Sequence, residues 1–152
     1  MSFDTTNGTK GARQPRGGRL LQWMNRFMMN RIRRSGGKTM GMNALVLTTV
    51  GRKSGQPRST PVGFFADGEN RWLIVASAAG APKNPAWYYN IAAHPDQVTI
   101  EIGDRTIPVS ATQLHDEERA RAWREITTAA ARFGKYQEQT DRELPIIRLT
   151  PR

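Results

Sequence analysis

The residues best suited to chemistry fall in two short segments. Behind the apolar run NALVLTTV, residues 51–61 read GRKSGQPRSTP and set Arg52, Lys53 and Arg58 around Ser54 and two glycines. Cationic side chains and unencumbered backbone N–H groups at this spacing can converge on one anion. The second segment, SAAGAPKNPAWYYN, follows directly on an apolar run and places Lys83 and Asn84 at a predicted helix start, where free N–H groups favour negative charge. Trp87, Tyr88 and Tyr89 fall in the first turn of that helix. Taken singly, the first segment also suits a solvated basic turn, and the aromatics of the second also suit a core. Taken together, they describe a place for a polyanionic ligand with a flat ring.

Acid–base and nucleophilic groups are sparse. The two histidines, His94 and His115, lie far apart beside turn or helix-start signals and read as surface positions. No carboxylate pair has glycosidase spacing and no ligand set has metal-site spacing, so no metal is expected. The absence of cysteine excludes disulfides, thiolate metal sites and cysteine nucleophiles, and suits a reducing cytoplasm. An enzyme with this inventory would rely on an organic cofactor for the chemistry and supply binding and orientation itself.

The net charge of +10 is concentrated at one end. Residues 1–40 hold nine Lys and Arg against Asp4 alone, a balance of +8, which leaves +2 for the other 112 residues. A nearly neutral body without a basic stripe of interleaved aromatics argues against nucleic acid as a partner. Residues 1–16 are polar, Gly-bearing and aperiodic, and read as a disordered tail. Residues 17–35 form a basic amphipathic helix with Leu20, Met24, Phe27, Met28 and Ile32 on one stripe and Trp23 at its border. Such a face packs on the domain's own core or meets an anionic membrane surface. No run reaches the ~20 apolar residues of a membrane span, so the expectation is a cytoplasmic protein, with a peripheral contact on the inner face of the membrane as the finer one.

The elements that must position the two segments are mostly strands. NALVLTTV, RSTPVGFFA and RWLIVAS read as an antiparallel meander, QVTIEI and RTIPVSATQL as a hairpin over the GD turn, and LPIIRLTP as a last strand. One short helix enters with Asn84 as N-cap and Pro85 at its first position, and a second, HDEERARAWREITTAAARF, is capped at Asp116. Grouped antiparallel strands with inserted helices predict an α+β fold with a barrel-like sheet over residues 42–152.

The stretches LVLTTVGRKSGQPRSTPV, IVASAAGAPKNPAWYYNIAAHP and YQEQTDRELPIIRLTP closely resemble the deazaflavin-dependent nitroreductase family. These are actinobacterial reductases that use the deazaflavin coenzyme F420 on a split β-barrel of the FMN-binding-like type. The resemblance implies that Arg52, Lys53 and Arg58, with Ser54 between them, hold the coenzyme's phosphate and acidic tail. It implies that Ser77, Ala78, Lys83, Asn84, Trp87 and Asn90 line the deazaflavin and its linker. The implied reaction is hydride transfer from the reduced deazaflavin to a small-molecule acceptor such as a quinone, enone or nitro compound. Tyr136 or Ser77 would orient or protonate that acceptor. Gly63 and Phe133 stand where nitroimidazole-reducing members have acceptor-pocket tyrosines, which predicts weak turnover of bulky bicyclic nitroimidazoles. Ala78 stands where related sequences often have lysine. Two other functions fit the same residues: an FMN-binding oxidoreductase on this barrel, and a coenzyme carrier at the membrane surface without turnover.

Overall fold

The structure is a computed structural model that describes residues 3–12, 19–35, 38–39 and 42–152. Its centre is an antiparallel sheet curved into a half-barrel. The strands are β1 (Lys38–Thr39), β2 (Met42–Val50), β3 (Pro57–Gly63), β4 (Phe65–Ala66), β5 (Trp72–Val75), β6 (Val98–Ile102), β7 (Arg105–Gln113) and β8 (Ile146–Pro151). The helices are α1 (Arg19–Ser35), α2 (Ala86–Ala93), α3 (Asp116–Ala129) and α4 (Arg132–Gln139), with a single 3-10 turn at Ala78–Gly80. The sheet order is β1-β2-β6-β7-β8-β5-β4, with β3 paired to β2.

Two hairpins follow their sequence signals. β2 and β3 pair from Ala44↔Gly63 to Val50↔Pro57, and β6 and β7 pair across a turn at Gly103. Along β7, Ile107, Val109, Ala111 and Gln113 are buried while Thr106, Pro108 and Thr112 are exposed, the period of two that a half-covered strand requires. The expected three-strand meander, however, is broken. β5 turns away from β3 to pair with β8, and the short β4 makes a separate hairpin with it. Gly63 ends the β2–β3 ladder, where the Phe64 N–H donates to Asn43, and the chain then starts the new pair.

β2 is apolar on both faces because both are covered. Leu45 and Leu47 point into the barrel with Ile74, Val98, Ile100, Val109, Ile147 and Leu149, and Tyr88 and Ile91 of α2 join the same core. Ala44 and Val46 point outward against Ile32 and Met29 of α1. On the far side, Leu73, Val75 and Ile146 pack on Ile126 of α3 and Phe133 of α4. The single predicted helix after β7 is two, separated at Ala130 and Ala131, and α3 begins after His115, not with Asp116 as its cap.

Helix α1 divides its apolar stripe. Ile32 is fully buried and Met28 and Met29 are half-buried, whereas Trp23, Met24 and Phe27 are 61, 50 and 52% exposed, with the Trp23 and Phe27 rings stacked. Arg33 ties the helix to the barrel through an ion pair with Glu101 at 2.9 Å. The expectation of a disordered tail fails over residues 3–12, which hydrogen-bond to α2, β7 and the turn after α4. Those bonds reach side chains some 80 to 130 positions away, a pattern no local composition reveals. Residues 13–18 lie outside the described part.

Candidate functional site

A cleft of about 740 Å³ opens between the β2–β3 turn and the segment from the 3-10 turn into α2. That size is ordinary for a site taking a small organic ligand. The turn side supplies Arg52, Lys53, Ser54 and Arg58, and the helix side supplies Ala78, Lys83, Asn84, Trp87 and Asn90. Nine residues expected from the two sequence segments therefore share one cavity. Four are cations, and no carboxylate lines the cleft among the described residues. Such an arrangement selects for negative charge.

The turn is held by its backbone. Gly51 N–H donates to the Gln56 carbonyl and Gly55 N–H to the Gly51 carbonyl, both at 2.8 Å, and Gly55 sits at φ +70°, where a side chain would be strained. Ser54 Oγ accepts from the Gln56 N–H at 3.2 Å and from Arg58 at 3.4 Å. Buried Asn90 joins the two walls: its Oδ1 accepts the Arg52 N–H at 3.1 Å, and its Nδ2 donates to Thr49 Oγ1. The Arg52 guanidinium lies 4.8 Å from the centre of the Tyr89 ring, a cation–π contact that crosses the same junction. Lys53, Arg58 and Lys83 remain exposed and able to turn toward an anion.

The opposite wall carries strain. Ala78 and Ala79 have φ of 45° and 54°, the left-handed region that costs a non-glycine residue about 1–3 kcal/mol when its surroundings impose it. Arg142, between α4 and β8 and only 2% exposed, imposes it. Its guanidinium donates to the Ala76 carbonyl at 2.8 Å, the Ser77 carbonyl at 2.9 Å, the Ala81 carbonyl at 3.0 Å and Asn84 Oδ1 at 2.6 Å. One planar fork thus grips both ends of the loop. Burial pushes the Arg142 pKa down, but guanidinium stays cationic at neutral pH, so a further positive charge lies beneath the cleft wall. Sequence reasoning missed this role, since the stretch TDREL reads as a polar turn. It also missed Asn25 of α1 and Thr49 of β2, which line the cleft as well.

Three expected residues stand apart from the lining. Ser77 is half-buried at the start of the 3-10 turn, with its carbonyl engaged by Arg142 and the Gly80 N–H. Tyr136 is half-buried on α4, edge-on to Phe133 at 5.6 Å. Phe133 itself is buried against Phe65, a core position and not a pocket wall. Asn84 is not the cap of α2. Pro85 occupies that position without a side-chain cap bond, because the Asn84 amide is committed to Arg142, Thr5 and Tyr89. Among the described residues no cluster of three or more His, Cys, Asp or Glu could hold a metal ion.

Comparison with known proteins points one way. The family model described as F420H(2)-dependent quinone reductase matches residues 22–151. An F420H(2)-dependent quinone reductase of Mycobacterium tuberculosis is 41% identical over 112 residues, covering 72% of this chain and 74% of that protein. The solved structure of an F420-H2 dependent reductase, FDR-A, is 34% identical with a TM-score of 0.63, covering 70% of this chain and 92% of that one. A haem storage protein of Vibrio cholerae, 16% identical with a TM-score of 0.51 and covering 82% of this chain and 88% of its own, shares the fold alone.

Proposed function

Given that the chain belongs to the F420H(2)-dependent quinone reductase family, we propose that its cationic cleft is where the coenzyme binds. The protein is an F420-dependent reductase on a split β-barrel. The observation that carries the site assignment is the convergence of Arg52, Lys53, Arg58 and Lys83 on one cleft, with no carboxylate among its described lining residues. This donor set fits a coenzyme bearing a phosphate and a tail of carboxylates. Arg52, Lys53 and Arg58 hold those anions, with Ser54 fixing Arg58. Ala78, Lys83, Asn84, Trp87 and Asn90 face the ring and its linker.

When bound and reduced, the deazaflavin supplies a hydride to an electron-poor acceptor such as a quinone. The protein's own part is positional, since holding donor and acceptor in reacting geometry replaces an improbable encounter. Asn90 and Arg142 fix the two walls of the cleft through their hydrogen bonds. A hydroxyl that orients or protonates the acceptor belongs beside the 3-10 turn. Ser77, next to Ala78, and Tyr136, on the helix packed against that turn, are the candidates.

Steady-state oxidation of the reduced coenzyme tests turnover. Its absorbance is expected to decay with simple quinones and far more slowly with bulky bicyclic nitroimidazoles. Binding without decay over a quinone panel would instead make the protein a carrier.

We also propose that the exposed end of α1 meets an anionic membrane surface. Stacked Trp23 and Phe27 and exposed Met24 lie beside exposed Arg26, Arg31 and Arg34, and each basic residue at such a surface adds about 1 kcal/mol at most. No helix among the described residues is long and apolar enough to cross a membrane. Trp23→Ser with Phe27→Ser should sharply reduce sedimentation with anionic vesicles while leaving Ile32 seated on β2. Unchanged sedimentation would remove the helix as the contact.

A further inference from the structure

We propose that residues 3–12 form a docked strap that positions the ring-side wall of the coenzyme cleft, with Asn7 and Gly11 as its fixing points. The inference rests on the assignment of that cleft to the coenzyme. No strap residue lines the cleft, so the role is positioning and not catalysis.

The strap holds Asn84 from behind. Asn7 Oδ1 accepts the Asn84 N–H at 2.9 Å, and the Thr5 carbonyl accepts from Asn84 Nδ2 at 3.0 Å, while Arg142 occupies Asn84 Oδ1 from the other side. The Tyr89 hydroxyl also donates to Asn7 Oδ1, and the Tyr89 ring lies under Arg52. Asn7 therefore touches one residue of the ring-side wall and one that supports the anion clamp. Further along, the Gly8 N–H donates to the Pro82 carbonyl at 2.7 Å and the Ala12 N–H to the Gly80 carbonyl at 2.9 Å. These bonds flank Ala81, whose own face lines the cleft.

Asp141 anchors the middle. Its carboxylate accepts the Thr9 hydroxyl, the Thr9 N–H at 2.8 Å and the Lys10 N–H at 3.2 Å, while Thr140 Oγ1 donates to the Lys10 carbonyl at 2.7 Å. These bonds, the Thr9 hydroxyl foremost, hold the Asp141 carboxyl at about 2. A depressed carboxyl pKa favours the docked state above the ordinary carboxylate range and loses that contribution as pH falls toward 2, so docking is at full strength at neutral pH. Gly11 fits because it has no side chain. A Cβ there would stand 2.4 Å from the Gly80 carbonyl oxygen and 2.5 Å from Pro82 N, both backbone atoms that cannot turn aside.

A strap that fixes the wall and a coenzyme that needs the fixed wall must favour one another reciprocally. Amide exchange and coenzyme titration on the full chain test this. In the free wild-type protein the Thr9, Lys10 and Ala12 amides should exchange slowly. Gly11→Ala and Asn7→Ala should each speed that exchange by at least about tenfold, leave Leu47 and Ile100 in the barrel protected, and weaken coenzyme binding by at least about fivefold. Thr6→Ala, at an exposed strap position, should do none of this. Faster strap exchange with unchanged affinity would overturn the strap's role and leave the site assignment standing. Unchanged exchange in both variants would overturn the docking itself. A wild-type chain that does not bind the coenzyme would overturn the site assignment, and the strap's role with it.

Discussion

Replacing Arg142 by alanine is expected to lower the thermal midpoint by about 6–12 °C and to weaken coenzyme binding strongly. The change deprives the Ala76, Ser77 and Ala81 carbonyls and Asn84 Oδ1 of their shared donor. Each buried acceptor left unsatisfied costs about 1–3 kcal/mol, partly relieved where water enters, so a net loss near 3 kcal/mol is a conservative sum. In a domain of this size each kcal/mol moves the midpoint by about 2–4 °C. The loss falls on the loop that carries Ala78, whose left-handed backbone then has less to hold it. Arg142→Lys should recover little of the binding, because an ammonium donates from one point and cannot bridge both ends of the loop. Thermal unfolding followed by circular dichroism, with coenzyme titration well below both midpoints, measures the two effects. An Arg142→Ala protein that melts with the wild type would show that the loop is held by something else.

Arg52→Ala combined with Lys53→Ala is expected to raise the coenzyme dissociation constant by at least about tenfold, which corresponds to ~1.4 kcal/mol for lost charge-assisted contacts. The turn should survive the double change. Its geometry comes from Gly51, Gln56 and Gly55 backbone bonds and from Asn90, which holds the Arg52 N–H and not its side chain. Removing the Arg52 guanidinium does give up its contact with Tyr89, so fold stability should be checked alongside. The difference between variant and wild type should shrink as salt is raised, because exposed charges are screened over about 10 Å at 0.1 M. A salt-independent loss would point instead to a displaced turn.

Local pattern carried much of this architecture. The alternation in β7, the Gly-punctuated turn after β2 and the break after Ser35 are each written within a dozen residues, and both hairpins followed from them. What stayed hidden depends on distant partners. The pairing of β5 with β8 joins residues more than 70 positions apart, and nothing in RWLIVAS says which strand it will choose. Residues 3–12 lack the apolar periodicity that marks an element, since apart from Phe3, whose ring packs edge-on to Tyr88, they dock through backbone and short polar side chains. For the site, charge and position singled out Arg52, Lys53, Ser54, Arg58, Lys83, Asn84 and Trp87, because a cationic turn and a helix start are local features, while Ala78 and Asn90 came from the family resemblance; all nine line one cleft. Arg142 was illegible for the opposite reason. Its partners are mainly backbone carbonyls about 60 positions earlier, and a carbonyl has no residue type to recognise. The α1 stripe was legible as amphipathic, yet only packing shows that Ile32 is core while Trp23 and Phe27 are not.

Titration of the purified chain with oxidised coenzyme F420 and, separately, with FMN at the same ionic strength tests the central claim most directly. The expected result is saturable binding of the deazaflavin at micromolar concentration or below, weakened by Arg52→Ala with Lys53→Ala, and much weaker binding of FMN. Micromolar binding of FMN with none of the deazaflavin would contradict it.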